Sequence, residues 1–392
     1  MAVELRPLSV KCNIACHYCY QHPQRDAEAK NGLYDMQKMK DAILREDGSF
    51  VLFGGEPLLV PFADLEELFA WGYERFGKNG IQTNGSLITP AHIELFKKYQ
   101  VHVGISVDGP VMLNDIRWAG TLARTRELSQ KTHQNIRLLI DNAIIPGIIV
   151  TLHTGNALPD VLPAMGAWMK ELDDMGIKSA RLHLMEVDNA MVGENFRLSA
   201  RQNIEAMLYF HELEKGLKNL RFDVFGEIER LLNANDKNTS CVWNACDPYT
   251  TAAVRGVEGD GKRSNCGRTN KEGIDFVKAP LPSYSRYIAL YNTPQEFGGC
   301  KGCRFFAMCK GHCPGTSIEG DWRNRTEHCE VWKTLFTIKE KEMIDKGVQP
   351  LSTYPGLRYI EAVFLKNWAK GKNPNIAGII NHIHQSKQTQ PA

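Results

Sequence analysis

Eleven cysteines, gathered into three groups, constrain this chain of 392 residues more than any other feature. Cys12, Cys16 and Cys19 form C-x3-C-x2-C near the N-terminus, and no other cysteine appears for more than half the chain. Cys241, Cys246 and Cys266 follow. Cys300, Cys303, Cys309 and Cys313 then form C-x2-C-x5-C-x3-C, and Cys329 closes the set. An odd number cannot all pair internally. Short spacings let thiolates of one loop converge on a metal centre, whereas disulfides need particular Cβ separations and gain most from long loops. The N-terminal Met-Ala-Val-Glu-Leu-Arg-Pro lacks the basic-then-apolar pattern of a signal peptide. The expected location is the reducing cytoplasm, where structural disulfides are rare. Metal ligation is therefore the better reading for most of these residues.

Composition narrows the classes further. Hydrophobic residues make up 43% and charged residues 23%, an ordinary globular balance that excludes disorder for most of the chain. A net charge of +2 gives no argument for nucleic acid or an acidic membrane surface. No run of 18 apolar residues exists to span a bilayer. The length suits one large α/β unit with a smaller module.

Zinc is the plain alternative, since C-x2-C elements are common in structural zinc sites, which usually take four ligands. The first group offers three. Iron–sulfur clusters normally take four cysteines, so three thiolates on a four-iron cluster leave one iron open to a ligand that is not protein. For the later eight cysteines taken alone, zinc is a serious rival.

The first 190 residues read as repeating strand–helix units. Strands are expected at 5–10, 49–53, 80–82, 101–107, 144–152 and 177–187, and helices at 35–46, 62–76, 90–99, 126–142 and 159–175. Strands alternating with helices imply a parallel sheet, with chemistry at the strands' carboxyl ends. Six units rather than eight predict a partial, open barrel of the α/β class. Each polar or glycine-rich motif falls just after a strand: Gly54-Gly55-Glu56-Pro57, Thr83-Asn84-Gly85 and Asp108-Gly109-Pro110. Residues 199–232 read as helical. Residues 254–294 have weak periodicity, and there ligation is expected to replace a hydrophobic core. Residues 331–346 and 360–385 read as mostly helical.

Cys12-x3-Cys16-x2-Cys19-Tyr20 after a first strand, with Gly54-Gly55-Glu56-Pro57 after a second, resembles the radical S-adenosylmethionine (radical SAM) superfamily. The later cysteines resemble its SPASM extension, C-x(9–15)-G-x4-C followed by C-x2-C-x5-C-x3-C and one more cysteine. Cys246, Gly261 and Cys266 match the first part, Cys300 to Cys313 the second, and Cys329 the last. The resemblance implies a barrel at 1–198, a helical connection at 199–237, a SPASM domain at 238–330 and C-terminal helices with a polar tail at 331–392. It implies three [4Fe-4S] clusters. Cys12, Cys16 and Cys19 would hold the catalytic one. Cys241, Cys246, Cys266 and Cys313 would hold the first auxiliary cluster, and Cys300, Cys303, Cys309 and Cys329 the second. That assignment uses every cysteine.

The resemblance also implies S-adenosylmethionine, cleaved to a 5′-deoxyadenosyl radical that abstracts hydrogen from a C–H bond. Gly54, Gly55, Glu56 and Pro57 would line its methionine part, Ser106 and Asp108 its ribose, and Tyr20 its adenine, with Thr83 and Asn84 on the same face. Asp-Gly-Pro is by itself a strong turn signal. No catalytic side chain is assigned beyond these; His17 and His153 read equally well as packed or solvated. Glu186, Asp188 and Glu194 follow the sixth strand and could face substrate or solvent.

SPASM-type enzymes mostly modify peptides, so the expected activity is maturation of a ribosomally made precursor peptide. Because the cysteine loop begins at residue 12, the expected partners include a separate leader-binding protein, or the barrel binds peptide unaided. A flavodoxin- or ferredoxin-type electron donor is expected as well. The alternative is anaerobic sulfatase maturation, which forms formylglycine. Those relatives carry an aspartate after the cysteine matching Cys266, where this chain has Gly267 and Arg268. A zinc-bound scaffold without catalysis is the alternative from another class.

Overall fold

The computed structural model describes residues 2–21, 34–186, 195–237, 239–247, 250–251, 254–264, 266–269, 279, 281–292 and 299–388. The chain divides into two compact units, Met1–Asp223 with Arg255–Val277, and Val224–Val254 with Lys278–Ala392.

In the first unit, β1 (Val3–Arg6), β2 (Phe50–Leu52), β3 (Asn79–Thr83), β4 (Val101–Ser106), β5 (Gly147–Leu152) and β6 (Ser179–Leu184) are all parallel. Between them run α1 (Met36–Arg45), α2 (Phe62–Phe76), α3 (Pro90–Lys98), α4 (Leu122–Asp141), the single turn α5 (Thr154–Ala157) and α6 (Leu162–Asp174). After β6 come α7 (Ala200–Lys215) and β7 (Arg221–Phe222). With β8 (Arg255–Glu258) and β9 (Arg263–Ser264), they form one sheet ordered β7-β6-β5-β4-β3-β2-β1-β8-β9. Strands β1 to β6 keep chain order, and β7 and β9 are the two edges. This is the open parallel barrel of six βα units.

The amphipathic pattern of α2 buries Leu65, Leu68 and Phe69 against the sheet. Each such burial contributes about 2 kcal/mol. Gly77, at φ +68°, ends the helix in the left-handed conformation that glycine adopts without cost. Helix α4 starts before its expected residue 126, because the Thr121 side chain accepts the Arg124 N–H and caps it there.

Three expectations shift. The first strand is Val3–Arg6 rather than 5–10, since Pro7 has no N–H to donate and Ser9 takes a positive φ. The stretch 199–232 is not one helical run; β7 interrupts it and pairs with β6. The weakly periodic stretch contributes β8, which pairs along β1 from Val3↔Arg255 to Arg6↔Glu258. Arg6 fixes that pairing. Its guanidinium is 3.2 Å from Glu258 and 2.6 Å from Glu4.

The second unit is mostly helical: α8 (Asp223–Leu232), α9 (Ser285–Asn292), α10 (Phe306–Cys309), α11 (Cys329–Asp345), α12 (Leu357–Trp368) and α13 (Ile376–Gln388). This unit has an aromatic core of its own. Trp243, Tyr287, Phe306, Phe336, Phe364 and Trp368 are buried and make close ring contacts. Arg286, also buried, donates to the carbonyls of Gly311, His312, Trp322 and Asn324, and so ties down the turn between Cys309 and Cys313. Lys310 lies in the same core, 3.5 Å from Asp236. No described helix is long and apolar enough to cross a membrane.

At the end of α6, Asp173 accepts the backbone N–H groups of Lys218, Asn219 and Leu220 at 2.9, 2.6 and 2.7 Å, which sets the chain up for β7. Burial pushes its carboxyl up, but these donors hold it below its ordinary value. Asp173→Ala should lower the unfolding free energy by about 3 kcal/mol at neutral pH, by leaving three donors unpaired. The folded carboxyl titrates below its unfolded value. The difference between variant and parent should therefore be full above about pH 4 and shrink as pH falls, as denaturant titrations across that range would read.

Candidate metal centre

Three strand ends hold the first cysteine loop. After β2, Gly55 donates its N–H to Ser9 O at 2.9 Å and Glu56 its N–H to Lys11 O at 2.8 Å. A Cβ on Gly55 would stand 2.0 Å from Lys11 O, and one on Gly54 2.4 Å from Ser9 O. Only glycine permits that approach, and Gly54 also holds φ at +114°. The near approach made by these glycines is to the lead-in of Cys12. Pro57 then opens a short 3-10 turn capped by Glu56. Glu56 is buried. One of its carboxylate oxygens accepts from Thr83 Oγ1 at 2.7 Å and Leu58 N at 3.0 Å, and the other from Asn84 N at 2.8 Å. Burial raises its pKa, and the three donors pull the other way.

After β3, Asn84 Nδ2 donates to Asn13 Oδ1 at 2.8 Å, and Asn13 Nδ2 donates to Ser86 Oγ at 3.1 Å. After β4, Asp108 is fully buried and accepts Tyr18 OH at 2.5 Å and Thr151 N at 2.8 Å. Arg117 donates to Tyr18 OH at 2.7 Å and stands 3.7 Å from the Asp108 carboxylate. Ala15 and His17 bond through their N–H groups to the carbonyls of Trp118 and Ile116 at 2.6 and 3.0 Å. Ser106 Oγ, half-buried on β4, accepts from Gln82 Nε2 at 2.9 Å. Glu56, Thr83, Asn84 and Asp108 are thus tied into the walls around the loop.

The thiols pack against carbon. Cys16 is buried with Ile14 and Leu128, and Cys12, Tyr18 and Cys19 pack against that group. Burial pushes the Cys16 thiol up to about 12; Arg117 opposes the shift, and Cys19 and Cys12 add to it. Arg117, Tyr18 and Asn13 carry no motif signal in the sequence, and only the fold brings them to the loop. His17 stacks between Trp118 and Phe196 at 5.6 and 5.5 Å. His153 caps α5 by accepting the Gly155 N–H, and burial lowers its pKa to about 4.

Tyr20 lies on another wall. A Cβ at Gly267 would stand 2.5 Å from its ring, so Tyr20 fills the space where a side chain after Cys266 would begin. Arg268 pairs with Glu186 at 2.9 Å and lies 3.1 Å from Nδ1 of His183, on β6. Glu186 is therefore part of a half-buried polar group rather than a solvated loop. Asp188 and Glu194 lie outside the described residues.

In the second unit, Cys300, Cys303, Cys309 and Cys329 line one cavity of about 60 Å³, together with Arg325, Trp332 and Lys333. Burial pushes the Cys300 thiol up to about 12, with Cys329 and Cys303 adding to it. Burial also raises the Cys309 and Cys329 thiols. Thiols held this way ionise only where positive charge is supplied, as iron supplies it. Cys241 opens a 3-10 turn, Cys246 and Cys313 are buried, and Cys266 follows β9. Three thiols gathered on the first loop and four lining one cavity are donor sets of the kind that hold iron–sulfur clusters.

Residues 7–137 match the family described as the Radical SAM superfamily. The cysteine-type anaerobic sulfatase-maturating enzyme of Clostridium perfringens strain 13 is 30% identical over 391 residues, spanning 88% of this chain and 98% of that protein. The serine-type anaerobic sulfatase-maturating enzyme of Klebsiella aerogenes is 26% identical over 216 residues, and the match spans about half of either protein (50% and 49%). The solved structure of anSMEcpe with bound AdoMet has a TM-score of 0.69 at 19% identity, over 88% of this chain and 98% of that one. The same protein has been solved with AdoMet and the Cp18Cys peptide. At that identity the likeness is one of fold.

Gly267→Ala should destabilise the protein by about 2 kcal/mol through overlap with Tyr20. In a Tyr20→Ala background the same substitution should cost little, a coupling that melting of the four proteins would measure.

Proposed function

The chain belongs to the radical SAM superfamily of enzymes, and on that premise we propose that it is a SPASM-type maturase acting on a peptide or protein. When bound at Cys12, Cys16 and Cys19, a [4Fe-4S] cluster with S-adenosylmethionine supplies a 5′-deoxyadenosyl radical that takes hydrogen from an unactivated C–H bond. The chain's own residues position and enclose that chemistry. The ends of β2, β3 and β4 fix the loop through Glu56, Asn13, Asn84 and the Asp108–Tyr18–Arg117 group. Tyr18 packs against its thiols, and His17 stacks on Trp118. Those walls keep water from a reactive intermediate and hold the loop in one arrangement.

The observation that carries the maturase reading is the second donor set: four cysteines on one cavity, apart from the three-cysteine loop. Full ligation leaves no open iron, so such a cluster suits electron transfer rather than substrate binding. Cys241, Cys246, Cys266 and Cys313 are assigned to a further cluster by the sequence pattern alone. The substrate proposed is a ribosomally made precursor, left crosslinked, epimerised or rearranged. A leader-binding protein and a flavodoxin- or ferredoxin-type donor are the proposed partners, in the cytoplasm. Incubation of the reduced, reconstituted enzyme with S-adenosylmethionine and the peptides encoded beside its gene tests this. The expected result is release of 5′-deoxyadenosine together with a mass change in one peptide. Neither event with any neighbouring peptide would sink the idea.

Formylglycine formation is the second reading, favoured by the match across 98% of the C. perfringens enzyme. Against it stands Gly267, where Tyr20 occupies the room an aspartate would need. A sulfatase-motif peptide should therefore yield no aldehyde, and aldehyde formation would reverse the ranking.

Anaerobically reconstituted protein should hold about 12 iron per chain if three four-iron clusters assemble. Cys303→Ala and Cys12→Ala should each remove about a third of it, read by iron and sulfide assay. Colourless protein holding zinc would overturn the cluster assignment.

A further inference from the structure

The structure assigns Arg325 and Lys333 the role of setting the reduction potential at the cavity of Cys300, Cys303, Cys309 and Cys329, biasing its cluster toward accepting an electron. This rests on the cluster reading above. Both cations line the same cavity as the four thiols. Cys329 is the first residue of the 17-residue helix α11. The free N–H groups of a helix N-terminus carry partial positive charge, so the sulfur sits at a favourable end for added negative charge. Lys333 lies four residues further along that helix, on the same face. Arg325 lines the cavity from a strap fixed by the Ser317–Thr326 bridge and by the Ile318 N–H to Arg325 O bond at 3.1 Å.

The acids nearby do not cancel this. Glu340 is committed to Arg304, which grips it at 2.9 and 3.2 Å through Nε and at 2.9 Å through Nη2. Glu327 lies 3.6 Å from His328. Glu330, beside Cys329, does not line the cavity, whereas Lys333 does. Besides Thr326 and two glycines, the rest of the wall is aromatic: Phe305, Phe306, Trp332 and Phe336. Low polarity lengthens the reach of the two cations. Four thiolates around a four-iron cluster give a net negative site, and reduction adds one more negative charge. Cations at the rim stabilise the reduced state more than the oxidised one.

Such a bias fits a cluster that takes the electron left on a substrate radical, rather than one that supplies electrons to the catalytic loop.

The test is potentiometric titration of the full, reconstituted chain, followed by electron paramagnetic resonance. The relevant signal is the one that Cys303→Ala abolishes. Lys333→Gln and Arg325→Gln should each make reduction about tenfold less favourable, a fall of about 59 mV for one electron. Lys333→Arg should keep the parent potential, and raising the ionic strength should shrink the effect of Lys333→Gln. An unchanged potential in Lys333→Gln with full iron content overturns the proposal, as does an equal shift in Lys333→Arg. Lys333 is exposed, so its variants decide the matter even if Arg325→Gln fails to assemble. A parent protein without iron at this cavity sinks both this inference and the cluster reading, whereas full iron with unmoved potentials sinks the inference alone.

Discussion

Three thiols must be held in one short loop, packed against carbon, and still be able to ionise. That constraint shapes the first unit. Burial alone drives the Cys16 thiol far from neutrality, and each neighbouring thiol makes ionisation harder. The chain answers with a nearly buried cation, Arg117, and balances that cation with Asp108 through Tyr18. The carboxylate is in turn anchored by a backbone N–H of β5. Loop, cation and sheet therefore form one electrostatic unit. Removing any member leaves a charge in low dielectric without its partner, which is the costly way to break such a group.

The hydrogen bonds around the loop explain why the parallel sheet matters. Parallel strands deliver all their carboxyl ends to one side, and the ends of β2, β3 and β4 each reach the loop by a different device. Gly54-Gly55-Glu56 gives backbone contact, Asn84 and Ser86 give amide and hydroxyl contact to Asn13, and Asp108 gives a carboxylate. Glu56 joins two of these ends, since it caps its own turn and accepts from both Thr83 and Asn84. The second unit solves a related problem differently. Its thiols sit between an aromatic core and the start of a helix, and Arg286 fixes the connecting turns by binding four carbonyls.

Legibility followed the strength of the local signal. The α2 helix was readable to the residue, because Leu65, Leu68 and Phe69 fall at the i, i+3, i+4 spacing of one helix face. The C-x3-C-x2-C loop and the Cys300–Cys329 set were readable because ligand spacing is local. The first strand was misplaced because Leu8 and Val10 extend an apolar pattern that Pro7 ends. Strand β7 was hidden because two residues cannot declare a period, and β8 because its partner, β1, lies some 250 residues away. The aromatic core of the second unit was missed for the same reason: Trp243 and Phe336, like Phe306 and Trp368, are far apart in sequence and meet only on folding.

The sequence by itself determined the class of chemistry, since eleven cysteines in those spacings leave few other uses, and it determined the alternation that makes a parallel barrel. Both are properties of neighbours along the chain. Tertiary structure alone decided what surrounds the thiols: Arg117 at the first loop, Arg325 and Lys333 at the later cavity, and Tyr20 over Gly267. Electrostatic and steric effects act through space. Their strength depends on distance and on the exclusion of water, and neither is written in the order of residues.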